Sequence, residues 1–296
     1  MGAMDAAWQE WLTVNLSRGC SRESLVDAMV HAGFAVPAAC ELVRGASYAG
    51  ESAAGSANRN EPAIVNHSSD ATAYRYDACP VAASNRIHAY DRDVSVLMRI
   101  AQPQLIAFDD VLCADECAEL LERSRPRLQR STTVNPDNGG EDVIALRTSE
   151  GCWFRRCEDA FIERLDRRIA ALMNWPIDHG EGLQILHYAA GGEYRPHFDY
   201  FPPGQRGSAI HTSRGGQRIA TLIVYLNDVA GGGETIFPTA GVTVTPRQGA
   251  AVYFRYVNGL GQLDPLTLHG GAPVTCGEKW IMTKWMREHP ADNHAG

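Results

Sequence analysis

The second half of the chain contains a succession of short strand-like runs with no helical pattern between them, and this limits the fold more than any other feature. Gly, Pro, Asn and Asp residues separate the runs at short intervals, as in tight turns. A parallel α/β sheet needs helices between its strands, so an antiparallel sandwich or barrel is expected here. The runs are LQILHY (183–188), RPHFDYF (195–201), RIATLIVYLND (218–228), GVTVTP (241–246), GAAVYFRYV (249–257), PLTLH (265–269) and KWIMTKWM (279–286).

Two helical patterns precede these runs and complete a predicted domain over residues 103–288. After an entering strand at PQLIAFDDVL (103–112), the segment ADECAELLERS (114–124) has the pattern of a helix. In DAFIERLDRRIAALMNW (159–175), apolar residues at helical spacing form one face, which would pack against a sheet. We therefore predict a mostly β fold with flanking helices, built as a double-stranded β-helix (jelly roll) whose facing sheets leave a cavity between them.

Residues 1–48 are predicted to form a small N-terminal helical unit. Trp8, Trp11 and Leu12 are spaced for one face of its first helix. Ser21 can cap a second helix, and Pro37 suits the first turn of a third. A unit of about 40 residues has a marginal core, so it is expected to dock on the main domain or to mediate a homodimer.

The other parts of the chain have weaker patterns. Residues 49–102 are predicted to be a linker followed by a lead-in segment, because the stretch 45–62 is rich in Gly, Ala and Ser. The end of the chain after Arg287, with residues 289–296 as its tail, is expected to be disordered.

Composition excludes several classes of function. A net charge of −8 argues against broad nucleic-acid binding, which needs a basic surface. Neither a secretory signal nor an apolar run of about 18 residues is recognisable, so no membrane association is expected. The eight cysteines lack zinc-site spacing and are expected to be reduced and mostly packed as small apolar side chains. Together these features predict a cytoplasmic protein.

His197 and Asp199 constrain the chemistry most. In a strand, side chains two positions apart share a face, so the imidazole and the carboxylate would enter one cavity while Phe198 faces away. His269, in LTLHGG, is the candidate for a third ligand that folding brings close. Two His and one carboxylate on one face of an iron ion leave the opposite face open for a co-substrate and dioxygen.

The chain resembles the iron(II)- and 2-oxoglutarate-dependent dioxygenases of the prolyl 4-hydroxylase family over residues 103–288. Three segments follow one another as in that family: YAAGGEYRPHFDYF, GGQRIATLIVYLNDVAGGGETIFP and LHGGAPVTCGEKWIMTKW. The resemblance implies iron(II) ligation by His197, Asp199 and His269, with 2-oxoglutarate, dioxygen and ascorbate as co-substrates and reductant. It implies hydroxylation of prolyl residues in a peptide or protein, similar to procollagen-proline 4-dioxygenase, with release of succinate and carbon dioxide.

The resemblance also assigns residues to 2-oxoglutarate. Lys279 would pair with its distal carboxylate, since a buried dianion needs a fixed cation and Lys supplies a point charge. Tyr188 would hydrogen-bond the same molecule, although a core aromatic with a satisfied hydroxyl is an alternative. Thr235 would lie beside them. His187 alternates with Tyr188 and is expected to face away from the site.

Three further matches concern the substrate. Tyr194, Arg218 and Trp285 would hold the target proline and its backbone, the aromatic rings as a wall and the guanidinium as a donor to a peptide carbonyl. The alternatives are a core position for Trp285 and a strand-edge charge for Arg218. The polar segment PPGQRGSAIHTSRGGQ (202–217) is expected to be a loop that borders the site and influences substrate choice.

Two other functions remain open at this stage. The same iron chemistry could act on a free amino acid or small metabolite, in which case Arg218 and Tyr194 would matter little for turnover. A non-catalytic jelly-roll module for binding or oxygen sensing would neither bind iron(II) nor consume 2-oxoglutarate. A nucleic-acid demethylase is disfavoured by the acidic balance.

Overall fold

The computed structural model describes residues 6–17, 22–31, 34–46, 73–134, 140–142 and 147–291. The helices are α1 (Ala6–Ser17), α2 (Arg22–His31), α3 (Val36–Gly45), α4 (Ala114–Ser124), α5 (Ala160–Met173) and α6 (Arg206–Thr212). The strands are β1 (Arg86–Ala89), β2 (Arg92–Ile100), β3 (Gln104–Asp109), β4 (Gln129–Arg130), β5 (Thr133–Val134), β6 (Glu141–Asp142), β7 (Glu150–Phe154), β8 (Leu183–Tyr188), β9 (Tyr194–His197), β10 (Arg218–Tyr225), β11 (Gly231–Gly232), β12 (Thr235–Phe237), β13 (Val242–Val244), β14 (Ala251–Arg255), β15 (His269–Gly271), β16 (Val274–Cys276) and β17 (Lys279–Arg287).

Two antiparallel sheets face each other and form the predicted jelly roll. The major sheet has the strand order β1-β2-β3-β14-β10-β17-β8-β7-β4, and the minor sheet has the order β13-β12-β15-β9. Aromatic side chains join the sheets: the rings of Phe237 in β12 and Phe254 in β14 meet edge to face, 5.1 Å apart. Strand β10 is buried along nearly its whole length, which explains its continuous apolar sequence.

The major sheet begins before residue 103, the position where the catalytic domain was predicted to start. Strands β1 and β2 belong to the major sheet, and β2 pairs with β3 from Ser95 opposite Asp109 onward. The lead-in also packs on the domain, since Asn258 Nδ2 donates to the carbonyl of Arg75 at 2.8 Å. Strand β2 is hard to recognise because only Val94 of its nine residues is buried, and apolar side chains such as Leu97 are exposed. Residues 49–72 of the predicted linker lie outside the described residues.

Three local predictions need correction. Residues Pro265–Thr267 form a 3-10 turn rather than a strand, because the Asp264 side chain caps the turn by accepting from Leu266 N. The predicted loop 202–217 contains helix α6. The chain after Arg287 is bonded rather than disordered as far as Ala291, whose N–H donates to the carbonyl of Asp178, while residues 292–296 lie outside the described part.

Helix α5 supports the strand that carries Lys279 and Trp285. As predicted, it buries Leu165, Ile169 and Leu172. A fully buried ion pair links it to β17: Lys284 Nζ donates to Asp166 Oδ1 at 2.6 Å. Because removing one partner would leave an uncompensated buried charge, this pair holds β17 against α5.

Helices α1, α2 and α3 lie within the predicted N-terminal region 1–48, and their buried apolar side chains belong to the hydrophobic core of the chain. These side chains are Trp11, Leu12, Leu16, Leu25, Met29, Ala39 and Val43. Pro37 lies in the first turn of α3 as predicted, whereas Ser21 lies outside the described residues. The described cysteines are all free. Among the described helices, none is both long and apolar enough to cross a lipid bilayer.

Candidate metal centre and active site

The three predicted ligands converge at one end of the minor sheet. His269 in β15 lies directly opposite His197 in β9, so antiparallel pairing brings the two imidazoles together. Asp199 follows the end of β9 in a bend rather than within the strand, yet its carboxylate faces the same way. His197 Nε2 lies 3.6 Å from Asp199 Oδ1, and His269 Nε2 lies 3.5 Å from Asp199 Oδ2. Among the described residues, this is the one group of His, Cys, Asp and Glu side chains that could hold a metal ion.

Backbone carbonyls orient both imidazoles. His197 Nδ1 lies 2.9 Å from the carbonyl oxygen of Arg195, and His269 Nδ1 lies 3.0 Å from that of Thr267. Each Nδ1–H can therefore donate to its carbonyl, which leaves the Nε2 lone pair free for a metal. Burial, reinforced by the neighbouring His269, lowers the pKa of His197 to about 4, so its imidazole is neutral at physiological pH.

Asp199 is held in its anionic form. Burial acts against the charge, but His269 and His197 outweigh it and hold the pKa of the carboxyl group well below its usual value. Thr221 Oγ1 donates to Asp199 Oδ2 at 2.7 Å, and the Tyr256 hydroxyl lies 3.1 Å from the same Oγ1. Two imidazoles and an oriented carboxylate on one side of a cavity fit the facial triad of non-haem iron(II) oxygenases.

A cavity of about 280 Å³ opens beside the triad, and the predicted 2-oxoglutarate residues line it. Lys279 in β17 lies opposite Tyr188 in β8, and its Nζ is 5.6 Å from the centre of the Tyr188 ring. Only 3% of Lys279 is exposed, and burial lowers its pKa to about 8 although Glu234 acts in the opposite direction. Thr235 Oγ1 accepts from the hydroxyl of Tyr225 at 2.8 Å.

The three predicted substrate residues line the same cavity. Tyr194 stacks on the imidazole of His197, with ring centres 3.7 Å apart. The guanidinium carbon of Arg218 lies 3.9 Å from the Trp285 ring. The Nε1 of Trp285 is buried and has no hydrogen-bond partner in the described part of the chain, so it can donate to a ligand.

Glu181 was not predicted as a site residue, and it occupies hydrogen-bond donors of Arg218 that were expected to serve the substrate. Arg218 Nε and Nη2 each donate to a Glu181 oxygen at 2.7 Å, so most of its donor edge is already engaged. Arg287 Nε lies 2.6 Å from Glu181 Oε1. Burial opposes the charge of Glu181, but Arg218 and Arg287 hold its pKa below the usual value. Arg218 was predicted to donate to a peptide carbonyl, and only its Nη1 remains available for that hydrogen bond.

Other outcomes follow from strand alternation. His187 faces away from the cavity as predicted, since its ring stacks on Trp280 and its Nε2 lies 2.9 Å from Glu278 Oε2.

Thr221 is a further residue of the site that was not predicted from the sequence. Its signal was present in the sequence, because a hydroxyl in the middle of the apolar run IATLIVY must be buried and needs a partner.

Comparisons with known proteins agree with this site. Residues 183–287 match the 2OG-Fe(II) oxygenase superfamily. The chain is 40% identical over 204 residues to probable prolyl 4-hydroxylase 3 of Arabidopsis thaliana, covering 62% of this chain and 69% of that protein. It is 35% identical over 187 residues to the human prolyl 4-hydroxylase subunit alpha-1, covering 63% of this chain and 35% of that subunit.

Among solved structures, the viral collagen prolyl hydroxylase of Paramecium bursaria Chlorella virus-1 in its 2OG complex is similar at 27% identity. The match covers 62% of this chain and 95% of the viral chain, with a TM-score of 0.49. On the strength of the sequence relatives, the chain belongs to the prolyl 4-hydroxylase family of 2OG-Fe(II) oxygenases.

Proposed function

We propose that this protein hydroxylates prolyl residues in a peptide or protein, with iron(II), 2-oxoglutarate and dioxygen. The observation that carries the proposal is the convergence of His197, Asp199 and His269 on one cavity that also contains the buried cation of Lys279. A non-catalytic jelly roll offers no physical reason to bury a Lys beside two imidazoles and a carboxylate, because burying charged and polar groups is costly.

His197 and His269 through Nε2, and Asp199 through its carboxylate, would hold the iron. When bound, iron(II) supplies the oxidising chemistry that converts 2-oxoglutarate and dioxygen into succinate and carbon dioxide and places one oxygen atom on a C–H group of the substrate. Lys279 would neutralise the distal carboxylate of 2-oxoglutarate, with Tyr188 and Thr235 beside it. Ascorbate is the expected reductant.

Three other residues that line the cavity would receive the substrate. Tyr194 and Trp285 provide flat apolar faces that suit a pyrrolidine ring, and the free Trp285 Nε1 is a donor for a peptide carbonyl. Arg218 is held by Glu181 against the face of Trp285, so it would act as a rigid support and a single donor. Enclosure by these residues would exclude water from the reacting centre.

Two accompanying proposals concern the protein as a whole. A cytoplasmic location is supported by free thiols at Cys157 and Cys276, both exposed. A homodimer formed through the N-terminal helical unit is the second proposal, and sedimentation of the intact protein tests it.

The deciding experiment incubates the protein with iron(II), ascorbate, 2-oxoglutarate and a panel of proline-containing peptides. We expect mass spectrometry to find one added oxygen on proline, with matching succinate. His197→Ala should abolish both products, while His88→Ala, which changes an exposed histidine outside the cavity, should retain them. Succinate without peptide oxidation would favour a small-metabolite substrate instead. The absence of both succinate and oxidised peptide would refute the proposal.

A further inference from the structure

Helix α1 is attached to the strand that carries the first metal ligand. Trp11 Nε1 donates to the carbonyl of Pro196 at 3.1 Å, and this contact is buried. The ring of Trp8 lies beneath the guanidinium of Arg195, 4.4 Å from its central carbon. Trp8 and Trp11 are themselves packed edge to face, with ring centres 4.9 Å apart. Two aromatic residues of the N-terminal unit therefore contact two consecutive residues of β9, one through a hydrogen bond and one through a cation–π contact.

These two residues hold His197 in place. Arg195 supplies the carbonyl that accepts from His197 Nδ1, and Pro196 connects that carbonyl to the ligand itself. Movement of the 195–196 backbone would thus rotate the imidazole. Arg195 Nε pairs with Glu193 Oε1 at 3.4 Å, whereas its Nη1 has no hydrogen-bond partner in the described part of the chain. The Trp8 ring adds a cation–π contact to this guanidinium.

The need for such a support follows from the sheet. Among the residues that the structure describes, β9 is the last strand of the minor sheet: it pairs with β15 and forms a single bridge between Tyr194 and Arg147. An edge strand of four residues has few contacts that fix its backbone. Pro196 also lacks an N–H, which removes one potential bond to a neighbour.

We propose that Trp11 and Trp8 are positioning residues, through which the N-terminal helical unit aligns His197 for metal binding. This rests on the proposed function, because it assumes that His197 is a metal ligand. The hydrogen bond from Trp11 and the stacking of Trp8 pre-organise the imidazole before metal arrives. Groups that orient metal ligands commonly change metal affinity, so the unit contributes to the active site without touching the substrate.

The test uses the full-length protein with Mn(II) as a redox-silent probe, and the free ion is quantified by its EPR signal. Trp11→Phe keeps an aromatic ring in the core but removes the N–H donor and part of the indole volume, as the control variant below also does at its own position. We expect its Kd for Mn(II) to rise about three- to tenfold, the size of one lost hydrogen bond acting on ligand orientation. Trp8→Leu, which keeps an apolar side chain without the ring face, is a second and independent variant with the same expected direction.

Trp175→Phe is the matched control. Trp175 Nε1 also donates to a backbone carbonyl, that of Arg287 at 2.9 Å, but away from the metal ligands. Its Kd should equal that of the unchanged protein. If both α1 variants lower the thermal unfolding temperature but leave the Kd for Mn(II) within twofold, the helical unit is only a cover and the inference is wrong. If the unchanged protein and His197→Ala bind Mn(II) equally, the proposed metal site itself fails.

Discussion

Raising the pH should weaken binding of 2-oxoglutarate, because it removes the proton from Lys279. Burial lowers the pKa of this ammonium group to about 8 in the free protein. A bound dianion stabilises the charged form of Lys279. At a pH where Lys279 has lost its proton in the free protein, binding of 2-oxoglutarate is therefore accompanied by uptake of a proton. The affinity for 2-oxoglutarate is therefore highest when the pH lies below the pKa of Lys279 in the free protein, and it falls as the pH rises through that pKa.

The size of the effect follows from that pKa. If only the protonated form binds, the apparent Kd grows with the factor 1 + 10^(pH − pKa), which gives a roughly tenfold weaker affinity at pH 9 than at pH 7. Two ionisable neighbours titrate outside this range. Burial raises the pKa of Tyr188 to about 12, and that of His197 is lowered to about 4, so neither titrates between these limits.

Isothermal titration calorimetry of 2-oxoglutarate into the Mn(II)-loaded protein measures this profile. Lys279→Arg stays protonated throughout and should give a flat profile, whereas Lys279→Met should bind weakly at every pH. A flat profile for the unchanged protein, or the same slope in Lys279→Met, would refute the assignment of Lys279 as the cationic anchor.

Three further predictions concern the rest of the site. His197→Ala should lose turnover and Mn(II) binding while its far-ultraviolet circular dichroism stays unchanged; normal binding would remove His197 from the triad. Thr221→Val should raise the Kd for Mn(II) about tenfold, since Asp199 loses a charge-assisted hydrogen bond, and an unchanged Kd in the EPR assay would contradict this. Glu181→Gln should raise the peptide KM about tenfold with little change in the KM for 2-oxoglutarate, because Arg218 loses its anionic partner, and equal changes in both constants would argue against it.

The metal ligands could be predicted from sequence because two of them lie one residue apart and the third belongs to a recognisable segment. Period-2 alternation was enough to direct His197 and Asp199 to one cavity, even though the strand ends before Asp199. It was also enough to direct His187 away. These predictions depend on local geometry, which a sequence encodes directly.

The supporting residues could not be predicted in the same way. Glu181 meets Arg218 only because the loop before β8 lies beside the ends of β10 and β17, and Trp11 meets Pro196 across most of the chain. Such contacts depend on sheet order and on helix docking, which no local pattern specifies. The early start of the major sheet was missed for a related reason, since β2 contributes few buried side chains and therefore has little hydrophobic pattern.

The position of the two histidines in one cross-strand pair has a consequence for the lifetime of the protein. A metal ion held by His197 and His269 would link the two short strands β9 and β15. If the ion bound the folded chain alone, a metal at a hundred times its Kd would add about 2.7 kcal/mol to the free energy of unfolding. Iron starvation would then lower the abundance of the enzyme as well as its turnover, since the metal-free form opens more often to proteases.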